Sequence, residues 1–284
     1  MILVTGATGN IGTALLRQLS ARGAGPLRAL TRNAARATFP AGVEAMAGDL
    51  ARPETLGPAL DGVRALFLVS GMGADADVLA AARRAGVEHV VLVSSITVQT
   101  HPGLPAARQN LAVETLLRDS GMAWTILRPT QFASNALWWA ESIRAHGTVH
   151  APYPDTGLPT IHPGDIASVA RLALTEPGHR GQIHALTGPE RITAPQQVEA
   201  IAAALGRDLT FVEISREEAH RRMAPVMGSE TVDAVLDVTG GDVNDDLSVV
   251  RDTVPRLTGS PGTPFRRWAT ENAAAFRAAA SAVG

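Results

Sequence analysis

Short apolar runs rich in β-branched residues alternate with longer amphipathic stretches along the first half of the chain. The short runs have the length of buried strands, and they predict strands at residues 1–4, 27–30, 43–47, 65–69, 89–93 and 124–127. The longer stretches end before a glycine, as helices commonly do, and they predict helices at residues 11–21, 74–85 and 107–119. This alternation is typical of βαβ units and predicts an α/β fold with a doubly wound parallel sheet.

The second half of the chain has a different pattern. Residues 136–160 hold a short helical stretch and then a loop rich in proline and glycine, whereas residues 182–186 have the pattern of a further strand of the sheet. Asp165 stands where it can cap the helix that precedes this strand. Beyond residue 187 helical patterns dominate, with one more strand predicted at residues 209–214.

These patterns divide the chain into two domains. The first contains the parallel sheet and its helices, and it is predicted to comprise residues 1–135 together with residues 161–187, which return to the sheet. The second is smaller and mostly helical, and it is predicted to comprise residues 136–160 and 188–284. We expect the first domain to bind a cofactor and the second to bind a substrate.

Composition and charge exclude several classes of function. The 284 residues carry a formal net charge of −2 with scattered basic residues, so the sequence predicts no nucleic-acid or membrane partner. The chain has no cysteine, and all 25 basic residues are arginine, which excludes thiolate chemistry and any step that needs a lysine. The chain begins directly with a strand and no leader, so we expect a cytoplasmic protein. The oligomeric state stays open, with a homodimer as one option.

A glycine-rich turn lies between the first predicted strand and the first predicted helix. The segment Thr5-Gly6-Ala7-Thr8-Gly9-Asn10-Ile11-Gly12 sets three glycines in a G-x-x-G-x-x-G frame. The first glycine permits a tight turn, the second lets the backbone approach a pyrophosphate, and the third lets the helix pack closely on the strand. A dinucleotide is therefore predicted to bind at Gly6, Thr8, Gly9, Asn10 and Ile11. The alternative is a turn with a purely structural role.

The residues after the second and third strands bear on which dinucleotide is bound. An NAD site normally has an acidic residue after the second strand, where this chain has Arg32 instead. An arginine pairs with the 2′-phosphate of NADP, so we predict NADP as the cofactor, with NADPH preferred over NADH. The alternative is that Arg32 is a solvated surface residue. Asp49 and Leu50 are predicted to border the adenine or, alternatively, to form a helix-initiating turn.

Small and polar residues also follow the other strands of the predicted sheet. Ser70 and Gly71 end the fourth strand, Ser94 ends the fifth, and Pro129 ends the sixth. Because ligands of doubly wound folds bind at the carboxyl ends of the parallel strands, we predict that these four residues contact the cofactor. No metal-ligand motif occurs in the sequence, so no metal site is predicted.

Several motifs together resemble one family over essentially the whole chain. They are TGATGNIG at residues 5–12, GDL at 48–50, SGMAWTILRPTQFASN at 120–135, IHPGDIA at 161–167, TGPE at 187–190 and TPFRRWATENAAAF at 263–276. This combination is similar to the NmrA-like branch of the atypical short-chain dehydrogenase/reductases. The resemblance implies a Rossmann domain with strand order 3-2-1-4-5-6-7 and a small C-terminal domain. It also implies an NAD(P)H-dependent quinone, azo or isoflavonoid-type reductase, or a redox sensor that binds the cofactor without turnover.

The chain departs from the wider superfamily at the catalytic residues. Dehydrogenases of that superfamily pair a tyrosine with a lysine four residues later, and the lysine lowers the pKa of the tyrosine that exchanges a proton with the substrate. Alignment at the fifth strand keeps the serine of that site as Ser95. If Glu114 is also held to the family's helix pattern, Ala106 and Asn110 stand at the tyrosine and lysine positions. The usual proton relay is therefore excluded. Acceptors whose reduced product is a stabilised anion, such as quinones, fit best.

Because the usual tyrosine is absent, another side chain would have to donate the proton to the substrate. The candidates are the single tyrosine and several histidines of the chain. Tyr153 is the only tyrosine, lies between two prolines, and is predicted together with Ser95 to be catalytic. Ordinary packing in the loop is the alternative for Tyr153. Further candidates are His101, His150 and His162.

Aromatic residues in the same part of the chain predict a substrate pocket. Phe132, Trp138 and Trp139 are predicted to line it, with core packing as the alternative for the two tryptophans. His162 is included in this pocket, although a histidine just before a helix start more often has a structural role. Adjacent helical residues point about 100° apart, so one tryptophan can face the pocket while its neighbour packs in the core.

Three hypotheses about function follow from these observations. The leading one is an NADPH-dependent reductase that transfers hydride to a quinone-like or otherwise conjugated, aromatic small molecule in secondary metabolism. The second is a non-catalytic NADP(H) sensor whose C-terminal half binds a partner protein. The third is a biosynthetic enzyme that keeps the cofactor pocket for chemistry without redox change.

Overall fold

The computed structural model of the chain describes residues 1–277, which belong to two compact units. The first unit contains residues 1–130, 163–186 and 252–261, and the second contains residues 131–162, 187–251 and 262–277. The units differ from the predicted domains at residues 131–135, 161–162, 187 and 252–261. Residues 131–135 belong to the second unit, because Phe132 there pairs with Ile161. Residues 252–261 belong to the first unit, because a short helix in this segment packs on its last helix and strand.

Nine strands occur within residues 1–277. In chain order they are β1 (Ile2–Val4), β2 (Leu27–Thr31), β3 (Val43–Ala47), β4 (Ala65–Val69), β5 (His89–Val93), β6 (Ala123–Pro129), β7 (Thr148–Ala151), β8 (Gln182–Leu186) and β9 (Thr210–Glu213). Seven of them form a parallel sheet in the first unit, in the order β3-β2-β1-β4-β5-β6-β8. The other two, β7 and β9, form a parallel pair in the second unit.

The α-helices of the described residues are α1 (Asn10–Ala21), α2 (Gly57–Leu60), α3 (Asp75–Arg84), α4 (Thr97–Thr100), α5 (Pro105–Asp119), α6 (Ala140–His146), α7 (Pro163–Thr175), α8 (Ala194–Leu205), α9 (Arg216–Met227), α10 (Ser229–Leu236), α11 (Asp245–Ser248), α12 (Thr253–Thr258) and α13 (Phe265–Glu271). Short 3₁₀ helices lie at Pro53–Leu56, Ala133–Trp139 and Ala273–Phe276, and a π-helical turn lies at Asp237–Gly241. No helix within residues 1–277 is both long enough and apolar enough to cross a bilayer.

The sheet of the first unit is parallel and buried, as the apolar residues on both faces of its central strands predict. All five residues of β5 are buried, as expected for a central parallel strand covered by helices on both sides. On one face, Leu68 of β4 and Leu92 of β5 join a core with Val78 of α3 and Leu117 of α5. Burying a side chain of this size contributes about 1.5–3 kcal/mol. The predicted fold class and strand order are confirmed.

The strand order reverses at β1, which lies between β2 and β4. In open α/β sheets, this reversal opens a crevice at the carboxyl ends of the neighbouring strands, and ligands bind there. The loops that follow β1, β2, β3 and β4 therefore form the part of the first unit in which a dinucleotide site is expected.

The start of α7 and the strand β7 differ from the predictions. Helix α7 begins at Pro163, so Asp165 is buried within its first turn and is not the cap that the sequence predicted. Proline suits this start because the first helical residues need no backbone N–H partner. The strand β7 was missed, because its four residues carry little pattern and pair with β9, which lies far along the chain.

The second unit has two apolar clusters of its own. The larger one joins Ile143 of α6, Ile201 of α8, and Phe265 and Trp268 of α13. The smaller one gathers around the buried residues Ala219, Val232 and Leu236 of α9 and α10, with partly buried side chains packed against it. The side chain of Tyr153 belongs to this smaller cluster.

Candidate functional site

The glycine-rich turn between β1 and α1 is held by close backbone contacts. Gly6 has a φ of +57°, which only glycine adopts without strain, and its carbonyl oxygen accepts a hydrogen bond from Gly9 N at 2.9 Å. A Cβ atom at Gly12 would overlap this same carbonyl group of Gly6. A Cβ atom at Gly9 would lie 3.2 Å from the oxygen of Gly6, which is tighter than ordinary contact. The turn thus requires glycine at the positions that the sequence singled out.

The start of α1 can hold a pyrophosphate. The helix follows Gly9, no side chain caps its first turn, and this turn contains no acidic residue. Thr8, Gly9 and Asn10 are exposed, whereas Ile11 is buried and anchors the helix. Uncapped N–H groups and the positive end of the helix dipole favour an anion at this point. The residues present therefore fit the phosphates of a dinucleotide.

Arg32 and Asp49 follow the neighbouring strands β2 and β3. Arg32 is exposed. A hydrogen bond from Ala51 N holds the pKa of Asp49 below its usual value, and the charges of Arg52 and Arg32 lower this pKa further. Asp49 also accepts a hydrogen bond from Arg52 Nε at 3.3 Å. These are the contacts of a turn, which was the alternative role for Asp49.

The loops after β3 and β4 are joined backbone to backbone. Leu50 is buried, and its carbonyl oxygen accepts a hydrogen bond from Ala74 N at 3.0 Å. A Cβ atom at Gly73 would overlap the backbone of Leu50, so only glycine permits this approach. The two loops consequently form one surface beside the glycine-rich turn.

Asp75 organises the loop after β4, and sequence reasoning missed it. Its Oδ2 atom accepts hydrogen bonds from Gly71 N at 2.7 Å and from Ser70 Oγ at 3.3 Å. Its Oδ1 atom is buried and has no hydrogen-bond partner among the described residues. The signal was available, because an aspartate at the first position of a helix after a glycine-rich segment commonly binds loop N–H groups. Asp75 therefore holds Ser70 and Gly71 in place at the end of β4.

Ser94 is bound to a buried ionic cluster. Its hydroxyl donates to Glu114 Oε1 at 2.7 Å, and Arg128 of β6 donates to both oxygens of the same carboxylate, at 2.9 and 2.6 Å. Arg118 adds a further hydrogen bond at 3.0 Å, and Glu114 itself is fully buried. Burying a carboxylate is costly unless such partners offset it. The cluster fixes α5 against the carboxyl ends of β5 and β6.

Ser95 and Pro129 have local structural contacts. The Ser95 hydroxyl lies 2.8 Å from Thr97 Oγ1 and accepts a hydrogen bond from Thr97 N at 3.2 Å. The carbonyl oxygen of Pro129 accepts a hydrogen bond from Ile96 N at 2.9 Å. These contacts connect the segment after β5 to the end of β6. A catalytic role for Ser95 and cofactor contact by Pro129 stay predictions.

In the second unit, the Tyr153 side chain occupies a tight slot. Its hydroxyl accepts a hydrogen bond from Arg216 Nη1 at 3.3 Å, and Arg216 also pairs with Asp237 at 2.9 Å and with Asp233 at 3.2 Å. This hydrogen bond to Tyr153 and the charge of Asp237 raise the pKa of Arg216. A Cβ atom at Gly240 would overlap the Tyr153 ring. Sequence analysis did not find Arg216, because it lies far from Tyr153 along the chain.

The residues predicted to line a substrate pocket are all in the second unit. Trp138 is 56% exposed, whereas Trp139 is partly buried and packs against the larger apolar cluster. Phe132 is half-buried. His162 Nε2 lies 3.2 Å from Glu271 Oε2, a contact that suits the structural role considered for this histidine. The exposure of the two tryptophans follows the expectation that adjacent helical residues face different surroundings.

The two other histidines considered as proton donors, His101 and His150, are both at least partly buried. His101 is buried, and its ring lies 2.9 Å from the hydroxyl of Thr100. His150 lies on β7 and is half-buried. No group of three or more possible metal ligands occurs within residues 1–277.

A parallel sheet with a glycine-rich turn at its reversal point defines a dinucleotide-binding protein of the Rossmann type. The family model described as NAD(P)H-binding matches residues 6–177. The chain is 39% identical to a (4-alkanoyl-5-oxo-2,5-dihydrofuran-3-yl)methyl phosphate reductase of Streptomyces griseus, over 97% of this chain and 99% of the relative. It is 37% identical to an NAD(P)H azoreductase of Xenophilus azovorans, over 98% of this chain and 100% of the relative.

The chain is also similar to the solved structure of a reductase. An NADPH-dependent quinone oxidoreductase from Escherichia coli, crystallised with NADPH, superposes with a TM-score of 0.79 at 27% identity, over 95% of this chain and 99% of that one. The chain therefore belongs to the NAD(P)H-binding, NmrA-like family of atypical short-chain dehydrogenase/reductases, and it is an oxidoreductase. The family that the sequence motifs indicated is confirmed.

Proposed function

We propose that this protein is an NADPH-dependent reductase that transfers hydride to conjugated small molecules such as quinones, azo compounds and unsaturated lactones. The observation that carries the proposal is the uncapped start of α1 behind the glycine-rich turn, with Arg32 after the next strand. The names of the similar proteins support the substrate class, since an azo group, a quinone and a 5-oxo-2,5-dihydrofuran are all conjugated electrophiles.

The first unit supplies the binding of the cofactor in this proposal. Backbone N–H groups at Asn10 and Ile11 hold the pyrophosphate, and Arg32 pairs with the 2′-phosphate. The joined loops after β3 and β4, with Leu50, Ser70 and Gly71, border the adenosine half. When bound, NADPH supplies the hydride, and the protein contributes orientation and exclusion of water.

The chain lacks lysine, and this determines which acceptors can react. Reduction of an isolated ketone produces an alkoxide, which needs an acid at once, and the tyrosine–lysine pair that usually supplies it does not exist here. A conjugated acceptor spreads the incoming electron pair over several atoms and tolerates a slower proton transfer. We assign the proton donor for acceptors that need one to Tyr153, whose hydroxyl accepts a hydrogen bond from Arg216.

The test is NADPH oxidation, followed by the loss of absorbance at 340 nm, with a panel of acceptors. Quinones, an azo dye, conjugated enones and a 2,5-dihydrofuran-5-one form one group, and unactivated ketones form the other. We expect turnover with members of the first group and none with the second. Turnover with simple ketones would contradict the proposal. Tight NADPH binding without turnover of any acceptor would favour the cofactor-binding sensor instead.

A further inference from the structure

Helix α5 of the first unit has a buried side and an exposed side, and the exposed side carries two large apolar residues. Val113, Glu114 and Leu117 are buried on the inner side. Leu111 and Leu116 are 39% and 47% exposed. A single exposed leucine is common on protein surfaces, whereas two on one side of one helix form an apolar patch. The exposed side of α5 is therefore a candidate interaction surface.

Six exposed residues form this surface, which we call the outer face of α5. At about 100° per residue they fall within a sector of about 140°. They are Arg108, Leu111, Ala112, Thr115, Leu116 and Asp119. Ala112 and Thr115 lie in the middle, a leucine lies on each side of them, and the charged residues lie at the two ends. The Thr115 hydroxyl donates to the Leu111 carbonyl oxygen at 2.9 Å, so the middle of the face is apolar.

The pattern of the outer face is symmetric about the point midway between residues 113 and 114. In an antiparallel pair of α5 helices centred on this point, every position faces the position equally far from the centre on the other helix. The pairs are Arg108 with Asp119, Leu111 with Leu116, and Ala112 with Thr115. Charge faces opposite charge, large apolar faces large apolar, and small faces small. The outer face is thus complementary to a second copy of itself.

The two charges of this face oppose the dipole of their own helix. Arg108 lies near the amino end of α5, which is the positive end, and Asp119 is the last residue, at the negative end. Arg108 donates a hydrogen bond to the Gly103 carbonyl oxygen and keeps further N–H groups for another acceptor. In the antiparallel pair, each charge meets an opposite charge and the opposite end of a helix dipole. An unfavourable arrangement in one helix becomes favourable in two.

We propose that the outer face of α5 binds the same face of a second copy of this chain, in an antiparallel and symmetric dimer. A twofold interface brings each residue opposite its partner twice, so both ends of the helix pair carry an ion pair. The small side chains of Ala112 and Thr115 at the centre let the helix axes approach within the usual distance of about 8–10 Å. The leucines then pack across the axis and leave water.

The size of the outer face determines how strong this dimer is. Two helices of 15 residues cover less area than the roughly 1,200–2,000 Å² of a standard stable interface. We therefore expect a dimer that exchanges with the monomer and has a Kd in the micromolar range. Sedimentation velocity of the full chain between about 1 and 200 µM covers this range.

Charge reversal at either end of the outer face tests the pairing. Arg108→Glu and Asp119→Arg each set like charges opposite each other at both ends of the helix pair. We expect each variant alone to raise the Kd of the dimer by roughly 10-fold or more. Both substitutions agree better with the helix dipole than the original residues, so neither should unfold α5. Circular dichroism and thermal unfolding check this point.

An equimolar mixture of the two variants distinguishes the antiparallel arrangement from any other. In a mixed pair, the new carboxylate at position 108 faces the new guanidinium at position 119, and the remaining Asp119 and Arg108 face each other. We expect the mixture to associate with a Kd within about threefold of that of the unmodified chain. A dimer formed through another surface gives no such recovery.

The matched control is Arg17→Glu, a charge reversal at an exposed position of α1, which should leave the Kd unchanged. Leu116→Ser should abolish association in the same concentration range, because it removes apolar contact at two places of the interface. An unmodified chain that is monomeric throughout this range would overturn the proposal. So would a dimer that neither charge reversal weakens, or a mixture of the two variants that does not associate.

Discussion

The exposed guanidinium of Arg32 is expected to determine the choice between NADPH and NADH. A charge-assisted pair with the 2′-phosphate contributes about 1.5–3 kcal/mol, or roughly 10–100-fold in affinity. We therefore predict that the unmodified chain binds NADPH more tightly than NADH and that Arg32→Ala removes most of this difference. Titration of cofactor fluorescence measures both constants. Arg17→Ala on the exposed side of α1 is the matched control and should keep the preference.

Equal affinity of the unmodified protein for the two cofactors would refute this assignment. In that case Arg32 would be a solvated surface residue, as its exposure alone also permits.

Two buried histidines of the first unit should make folding sensitive to acid. Burial, together with the charges of neighbouring residues, lowers the pKa of His89 and of His184 to about 4 in each case. The unfolded chain protonates near pH 6.5 while the folded chain does so only near pH 4. Stability is therefore lost as the pH falls from about 6.5 to about 4, by about 3 kcal/mol for each histidine.

Urea unfolding at pH 7 and pH 5 measures this loss. His89→Gln should reduce the difference in unfolding free energy between the two pH values, because glutamine cannot be protonated. His146→Gln, at an exposed position, should leave the difference unchanged. A His89→Gln protein with the full pH dependence of the unmodified chain would show that His89 is not the group responsible.

Among individual residues, the sequence predicted the roles of those that depend on their spacing within one short motif. The conformation of Gly6 and the crowding at Gly12 follow from the G-x-x-G-x-x-G frame and the strand and helix on either side. Asp75, Glu114 and Arg216 act through contacts with distant parts of the chain, and no local pattern specifies those contacts.

The β1–turn–α1 element should tolerate no side chain at Gly12. A Cβ atom there would overlap the backbone of Gly6, which cannot move without shifting β1 or the start of α1. We predict that Gly12→Ala costs roughly 1–3 kcal/mol of stability, as overpacking typically does, and weakens NADPH binding. Thermal unfolding and cofactor titration provide the two measurements.

Gly57→Ala is the control for this substitution. Gly57 has helical dihedral angles and no heavy atom within 4 Å of an added Cβ, so alanine should be neutral or slightly stabilising there. If Gly12→Ala proved as stable as Gly57→Ala and bound NADPH normally, close packing of α1 on the turn would not be required.

Elements with a strong pattern were predicted well, and those specified by distant pairing were not. Strand β5 is an uninterrupted apolar run and was found with its exact bounds. Strand β7 exists because it pairs with β9, and its four residues alone resemble a loop. The start of α7 was misplaced because Pro163 begins the helix before Asp165.

The whole molecule should not tolerate truncation after the last strand of the sheet. Helix α12 belongs to the first unit, packs on α7 and β8, and buries Val254. A fragment of residues 1–186 lacks this cover and exposes the apolar surface beneath it. We predict that the fragment aggregates or unfolds at lower urea than the full chain, as measured by gel filtration and urea titration.

Joining residues 252–261 to this fragment through a flexible linker should restore part of its stability. A fragment 1–186 that is monomeric, unfolds cooperatively and binds NADPH like the full chain would contradict the role of α12.

The most direct test of the central claim, hydride transfer to a conjugated acceptor, uses NADPH that carries deuterium at nicotinamide C4. With a conjugated enone as acceptor, the transferred atom remains on carbon and can be located by mass spectrometry and NMR. We predict deuterium at the β-carbon of the product from only one of the two C4 diastereomers, because a bound nicotinamide presents one face to the acceptor. NADPH bound at full affinity, with no deuterium in any product, would contradict the account.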